Sequence, residues 1–312
     1  AYNTAKLASC LAVRQTASTR NTFQNISNGI MIYGRSSNLK VQNSVFLNLK
    51  ENSPYGLFST GITAGTIEGL EVAGVGVSPL PTPPIKTNSQ DPTFQNCGVG
   101  IWVNSTSMVD IYECKMSNMD FFGIYSTGNQ HTININKNNI QSNLIGIIDF
   151  FSSPFFFNID ENYLEMRTGS QYGICLWSTY PIDDLELFPT PTINANKIHI
   201  FESPNSRSGI FTSNVDGSFL GSRRISVYNN FVDFYNSSSS FGNAIGIEMT
   251  GGTELNVHCN ELLGVSTTNG NTTGILAEVT TNTLYSCNTT DSTRIGVEYN
   301  GSCLNTELQT TF

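Results

Sequence analysis

"TFQNISNGIMIYG" runs from Thr22 to Gly34, and "TFQNCGVGIWVNS" runs from Thr93 to Ser105. Each has Thr-Phe-Gln-Asn, then Gly-Ile four residues later, then another apolar residue two positions on. The phrases begin 71 residues apart. A phrase repeated at this distance asks whether the whole chain is periodic, and that question comes before any local assignment.

It is periodic. Gly followed by Ile, Leu or Val recurs at Gly29, Gly56, Gly100, Gly123, Gly146, Gly173, Gly209, Gly246, Gly274 and Gly296, with shortest steps of 22 and 23 residues. Longer steps contain loop-like inserts, such as "SPLPTPPIKTNSQDP" (Ser78–Pro92) and "PIDDLELFPTP" (Pro181–Pro191). Each Gly opens an alternating stretch ("GIMIY", "GIWVN", "GIEMT", "GVEYN"), and a second alternating stretch follows ("LKVQNSVF", "VDIYECKM", "ISVYN", "LNVHCN"). Alternation with period two indicates strands. Asn138, Asn162, Asn196, Asn230 and Asn260 each precede an apolar residue by two. Asn288 falls in the same column, and Cys114 takes its place in an earlier repeat. Asn suits a left-handed turn, and stacked Asn side chains can hydrogen-bond along an axis.

Short, evenly spaced strands exclude a βαβ fold, and the repeat is too short for a propeller blade. A coil with two or three parallel strands per turn fits, each turn lying ~4.8 Å from the last, with a right-handed crossover. The expected fold is therefore all-β: a single right-handed parallel β-helix of about ten rungs with loop insertions, spanning residues 1–312. The doubled phrase marks one corner of the coil, expected three Gly-Ile rungs apart. The end at "ELQTTF" (Glu307–Phe312) falls partway through a rung, which suggests a segment of a longer protein.

Composition bounds the partners. Charged residues are only 12% of 312, hydrophobic residues 38%, Asn numbers 36, and the net charge is −9. That charge argues against nucleic acid and anionic membrane, and no apolar run is long enough to span a bilayer. Seven cysteines without metal-ligand spacing argue against zinc.

The sequence resembles the right-handed parallel β-helix proteins of the pectin-lyase-like superfamily. In texture it is similar to the Asn-rich β-helix repeats of large secreted or surface proteins of Bacteroidota. "NTLYSCNTTDSTRIGVEYNGSC" (Asn282–Cys303) in particular resembles a rung of those proteins. The resemblance implies an extracellular location and neighbouring β-helix rungs of the same parent protein. It does not settle function, since lyases, hydrolases, tailspikes, adhesins and inert stalks share this coil.

Setting the residue after each Gly inward gives a core column of Ile30, Leu57, Ile101, Ile124, Ile147, Ile174, Ile210, Ile247, Ile275 and Val297. The next residues face outward: Met31, Phe58, Trp102, Tyr125, Ile148, Cys175, Phe211, Glu248, Leu276 and Glu298. Trp177 belongs to a second outward column, with Phe150 and Glu278. An apolar stripe of this kind seldom meets bare water. Either inserts fold back over it, or Phe58, Trp102, Tyr125, Trp177 and Phe211 form a platform for a glycan or a surface protein.

Glu248, Glu278 and Glu298 gather at one end of that face. Glu248 and Glu298, two rungs apart, could suit an inverting glycosidase pair or a weak calcium site; the plain alternative is a solvated acidic edge. Asp149 is expected inward beside Ser126 and Thr212, as a satisfied buried carboxylate or a bulge. Asp183-Asp184 reads as a solvated loop. Arg223-Arg224 lacks the Asp cluster of a calcium-dependent lyase, and the paired Asp, Gly-His-Gly and Arg-Ile-Lys pattern of polygalacturonases is absent. His131, His199 and His258 lie on separate rungs, so no nucleophile–base arrangement is proposed. The reading is therefore a non-catalytic extracellular rod or adhesin-type domain; the alternative is a polysaccharide lyase or glycoside hydrolase.

Two further columns follow from the register. Glu113, Lys137 and Glu161 fall on consecutive turns as a charge ladder. Cys259 stacks over Cys287, within disulfide reach at ~4.8 Å between backbones. Cys287–Cys303, or thiols left unlinked, are the other arrangements.

Overall fold

The computed structural model describes residues 21–34, 38–49, 59–75, 92–167, 169–182, 189–201, 207–218, 220, 223–235, 243–264 and 272–309, with the backbone of 11–13. They form three parallel sheets. The first has eleven strands, from Leu11–Val13 to Glu307–Gln309; the second has ten, from Asn21–Gln24 to Thr289–Asp291; the third has ten, from Asn28–Tyr33 to Ile295–Asn300. Every strand pairs with the strand three along the chain, so each turn contributes one strand to each sheet. This is a parallel β-helix with three strands per turn.

The core column is a run of aliphatic side chains stacked in register: Ile101, Ile124, Ile147, Ile174, Ile210, Ile247 and Ile275 are all buried. One early rung differs from the sequence reading. Ile62, not Leu57, pairs with Ile30 and Ile101, so Gly61 and Thr63 occupy the places assigned to Gly56 and Phe58. Phe58 itself lies outside the described residues. The stretch contains two Gly-apolar pairs, and only pairing to the turns on both sides selects the second.

The column glycines are there because backbone lies over backbone. A Cβ on Gly123, Gly146, Gly173, Gly209 or Gly246 would sit 2.6–2.7 Å from the carbonyl oxygen of the next column glycine. No other residue fits that approach without a shift.

The Thr-Phe-Gln-Asn half of the doubled phrase lies on the second sheet and its Gly-Ile half on the third. Phe23 and Phe94 sandwich Phe46 of the intervening turn, with ring centroids 4.8 Å apart on each side and planes within 8°. The phrases are thus two turns apart, not three. Their Asn residues, Asn25 and Asn96, with Asn48 and Asn118, adopt left-handed φ at the corner into the third sheet. Asn118 donates to Asn96 (2.9 Å), which donates to Asn48 (2.7 Å).

A second Asn ladder runs inside the opposite corner. The Nδ2 atoms of Asn138, Asn162, Asn196, Asn230 and Asn260 each donate to the Oδ1 of the next member at 2.9–3.0 Å. The Asn residues stack as their column implies, but they are not the left-handed residues of the corner. Positive φ falls on the preceding residues, Lys137, Glu161, Ala195, Asn229, Cys259 and Cys287, and on Glu113 before Cys114; the carboxamides of Asn138, Asn162, Asn196, Asn230 and Asn260 are buried, and that of Asn288 is half-buried. Glu113, Lys137 and Glu161 do follow one another at this corner, and an exposed Lys137–Glu161 pair forms at 3.7 Å.

Asp149 is buried and satisfied. Ser126, Ser152 and Thr179 donate hydroxyls to it at 2.7, 2.7 and 2.8 Å. Burial raises its pKa, while these three donors oppose that shift. Thr212 is not beside it: Leu176 lies between them in the register.

Candidate functional site

The outer face of the third sheet carries the aromatic and acidic columns. Met31, Thr63, Trp102, Tyr125, Ile148, Cys175, Phe211, Glu248, Leu276 and Glu298 follow one another in register. The middle of this stripe is closed over: Ile145, Ile148, Cys175 and Phe211 form a buried cluster separate from the main core, with Phe122, Tyr125, Leu144 and Tyr172 packed against it. Tyr172 stacks on Phe211 at 4.6 Å, and Phe122 meets Tyr125 at 5.2 Å. Trp102 packs edge-on to Tyr125 at 5.4 Å. Burial of the stripe thus includes neighbouring aromatics of the same sheet.

Phe122, Ile145 and Tyr172 were not legible as outward residues. Strict alternation from Ile124 would turn Phe122 inward. A Cβ at Gly123 would meet the core residue Ile140, so the glycine and Ile124 both face inward, and the residue before the glycine falls on the outside.

One border of the cluster stays open. Trp177 is 41% exposed and Phe151 is 59% exposed. Phe150 lies between them, 4.1 Å from Phe151 and 5.6 Å from Trp177, and Trp177 reaches Phe211 at 6.2 Å. Phe151 sits at the corner into the first sheet with φ 54°, a left-handed conformation that a bulky side chain adopts at a cost of order 1 kcal/mol. The corner therefore holds a large apolar ring in solvent, in a conformation that Asn would adopt more readily.

The carboxylates lie beyond Phe211. Glu248 pairs with Phe211 in the register, Glu298 follows after Leu276, and Glu278 lies in the next column on the Leu276 strand. Ser208 donates its hydroxyl to Glu248. Burial raises the Glu248 pKa; the Ser208 hydrogen bond opposes this, and the nearby Glu278 charge adds to it. Thr250 donates to Glu278 at 3.5 Å and Asn300 to Glu298 at 3.2 Å. Among the described residues, no three His, Cys, Asp or Glu side chains are grouped as ligands to a metal.

The family model described as the right-handed β-helix region matches residues 9–184, more than half of the chain. The chain belongs to the right-handed β-helix family. Comparison with curated proteins and with solved structures found no match to either.

Elsewhere on the β-helix, Arg224 pairs with Glu254 at 3.2 Å, which occupies its guanidinium in a structural contact. His131 packs edge-on to Phe155, and His258 stacks on Tyr228. One pairing escaped the sequence reading: His199 Nδ1 meets Asp233 Oδ1 at 2.5 Å on the second sheet, flanked by Tyr163 and Phe231. They are 34 residues apart, and only the stacking of consecutive turns joins them. No helix among the described residues is long and apolar enough to cross a membrane.

A groove of about 640 Å³ follows the corner between the second and third sheets, lined by the Asn25, Asn48, Asn96 and Asn118 ladder together with Asp120 and Phe121. It offers carboxamides beside an aromatic ring at the other border of the same sheet.

Proposed function

We propose that this β-helix is a non-catalytic rod of a secreted or cell-surface protein that holds a glycan against the open aromatic border of its third sheet. The observation that carries this reading is the row of exposed Phe151, half-buried Phe150 and exposed Trp177, anchored on Phe211. Rigid aromatic faces on a fixed scaffold bind with little loss of conformational entropy, and the flat faces of sugar rings match them. The Asn ladder and the Glu248–Ser208 pair supply hydrogen-bonding groups on the same side of the rod. The secreted setting rests on the likeness in texture to β-helix proteins of Bacteroidota, and the lack of a hydrolase or lyase motif favours binding over turnover.

A glycan array, followed by titration of each bound polysaccharide, tests this. Trp177→Ala should weaken binding about tenfold or more, roughly 1.4 kcal/mol. Phe151→Asn should weaken binding while leaving the fold as stable or more stable, because Asn tolerates the left-handed corner. Release of reducing ends or unsaturated sugars that is lost in Glu248→Gln would overturn the non-catalytic reading. Failure to bind any neutral or uronic glycan would overturn the glycan reading.

A further inference from the structure

We propose that Cys259 and Cys287 are a reversible dithiol–disulfide pair on the outer corner between the first and second sheets. They hold the same position on consecutive turns. His258 pairs with Ser286 just before them and Glu261 with Thr289 just after, and the Cys259 N–H donates to the Ser286 carbonyl at 3.1 Å. Both have φ 53°. The other left-handed positions of this corner, including Lys137, Glu161, Ala195 and Asn229, are also exposed, so the geometry turns side chains at this site toward solvent. The two sulfurs are exposed, and the Cys287 side chain hydrogen-bonds to Cys259. Neighbouring backbones ~4.8 Å apart lie inside the ~4.4–6.8 Å window of Cα separations that a disulfide spans.

The other described cysteines are differently placed. Cys97, Cys114 and Cys175 are buried. Cys303 hydrogen-bonds to the carbonyls of Ala277 and Asn300 at 3.8 and 3.7 Å, at the corner between the third and first sheets. It is therefore at a different corner of the coil from Cys287, and a Cys287–Cys303 bond would need the last turn to unwind.

A low-molecular-weight disulfide is the oxidant. The thiolate of one cysteine attacks a sulfur of the reagent and displaces one small thiolate, forming a mixed disulfide. The thiolate of the other then attacks the protein sulfur of that mixed disulfide and displaces the second small thiolate. The protein loses two protons and two electrons, and the reagent becomes two thiols. The product ties two turns together, and a small dithiol reverses it.

Oxidised glutathione is the probe, acting on the full folded chain, followed by alkylation and non-reducing peptide mapping. The expected result is a Cys259–Cys287 cross-linked peptide without retained glutathione, formed equally in Cys303→Ser, with Cys97, Cys114 and Cys175 alkylated only after denaturation. In Cys259→Ser, Cys287 should instead retain one glutathione. The proposal is overturned if Cys259 and Cys287 are recovered alkylated, if each carries its own glutathione, or if Cys287 is joined to Cys303. None of these outcomes depends on glycan binding.

Discussion

Asn196 shows why this chain is so rich in Asn. Its Nδ2 donates to Asn230 Oδ1 at 2.9 Å and to the Ile159 carbonyl at 2.7 Å, while its Oδ1 accepts from the backbone and side chain of Asn162, both at 3.0 Å. A carboxamide is the small neutral group that can donate and accept in this way at every rung. Asn196→Ala would leave the buried Asn162 donors and the Ile159 carbonyl unmet, and should lower stability by about 2–4 kcal/mol, measured as a shift in the urea midpoint. Asp110 makes a pH prediction at the same scale. Burial pushes its pKa up to about 6 from the ordinary 3.8, with the Glu71 carboxylate adding and the Lys40 ammonium opposing. The folded chain thus holds this proton more tightly than the unfolded chain. Its stabilising contribution is complete below about pH 4 and is lost as pH rises through about 6. Asp110→Asn should flatten that part of the stability–pH curve and raise stability at neutral pH by roughly 1 kcal/mol, after allowance for solvent screening of a partly exposed group. Equal pH slopes for the two proteins between pH 4 and 7 would show that Asp110 does not titrate in this way.

The element that organises each turn is the strand of the third sheet that carries a column glycine near its start. A Cβ at Gly173 would lie 2.6 Å from the Gly209 carbonyl oxygen and 2.7 Å from Ile198 Cγ2; at Gly296 it would meet only Thr290 Oγ1, at 3.1 Å. Gly173→Ala should therefore cost about 1–3 kcal/mol, and Gly296→Ala much less. Equal losses in thermal unfolding would mean that the glycines serve chain entropy and not close approach. These elements were legible as Gly-Ile pairs because a period of two reports an inward face directly. The rung at Gly61 is not legible in this way because Gly56-Leu57 and Gly61-Ile62 satisfy the same local pattern, and the contest between them is decided by pairing with Ile30 and Ile101.

For the whole molecule, each turn contacts its neighbours and little else, so stability should vary along the coil. Central strands such as Ile145–Phe150 have both neighbours and a buried core face. The last described turn exposes Ile295, Tyr299, Leu304 and Leu308. Native-state hydrogen exchange should find the amides of Ile145–Phe150 protected orders of magnitude longer than those of Ile295–Asn300. Uniform protection along the rod would mean that the chain unfolds as a single unit instead.

The sequence by itself determined the coil, its core column apart from the rung at Gly61, the stacking of the Asn residues and the placing of Glu248, Glu278 and Glu298 on one face. All of these follow from a repeat whose period is also the period of the structure, so that position along the chain translates into position on a surface. Only the tertiary structure decided which part of the aromatic stripe is open, that His199 meets Asp233, and that left-handed φ falls one residue before each inner Asn. Those outcomes depend on how side chains of different turns fill the space between them and on where strict alternation breaks, as at Gly123 and Ile124, which both face inward. Neither quantity is periodic, and a pattern read along one strand contains no information about the atoms stacked above and below it.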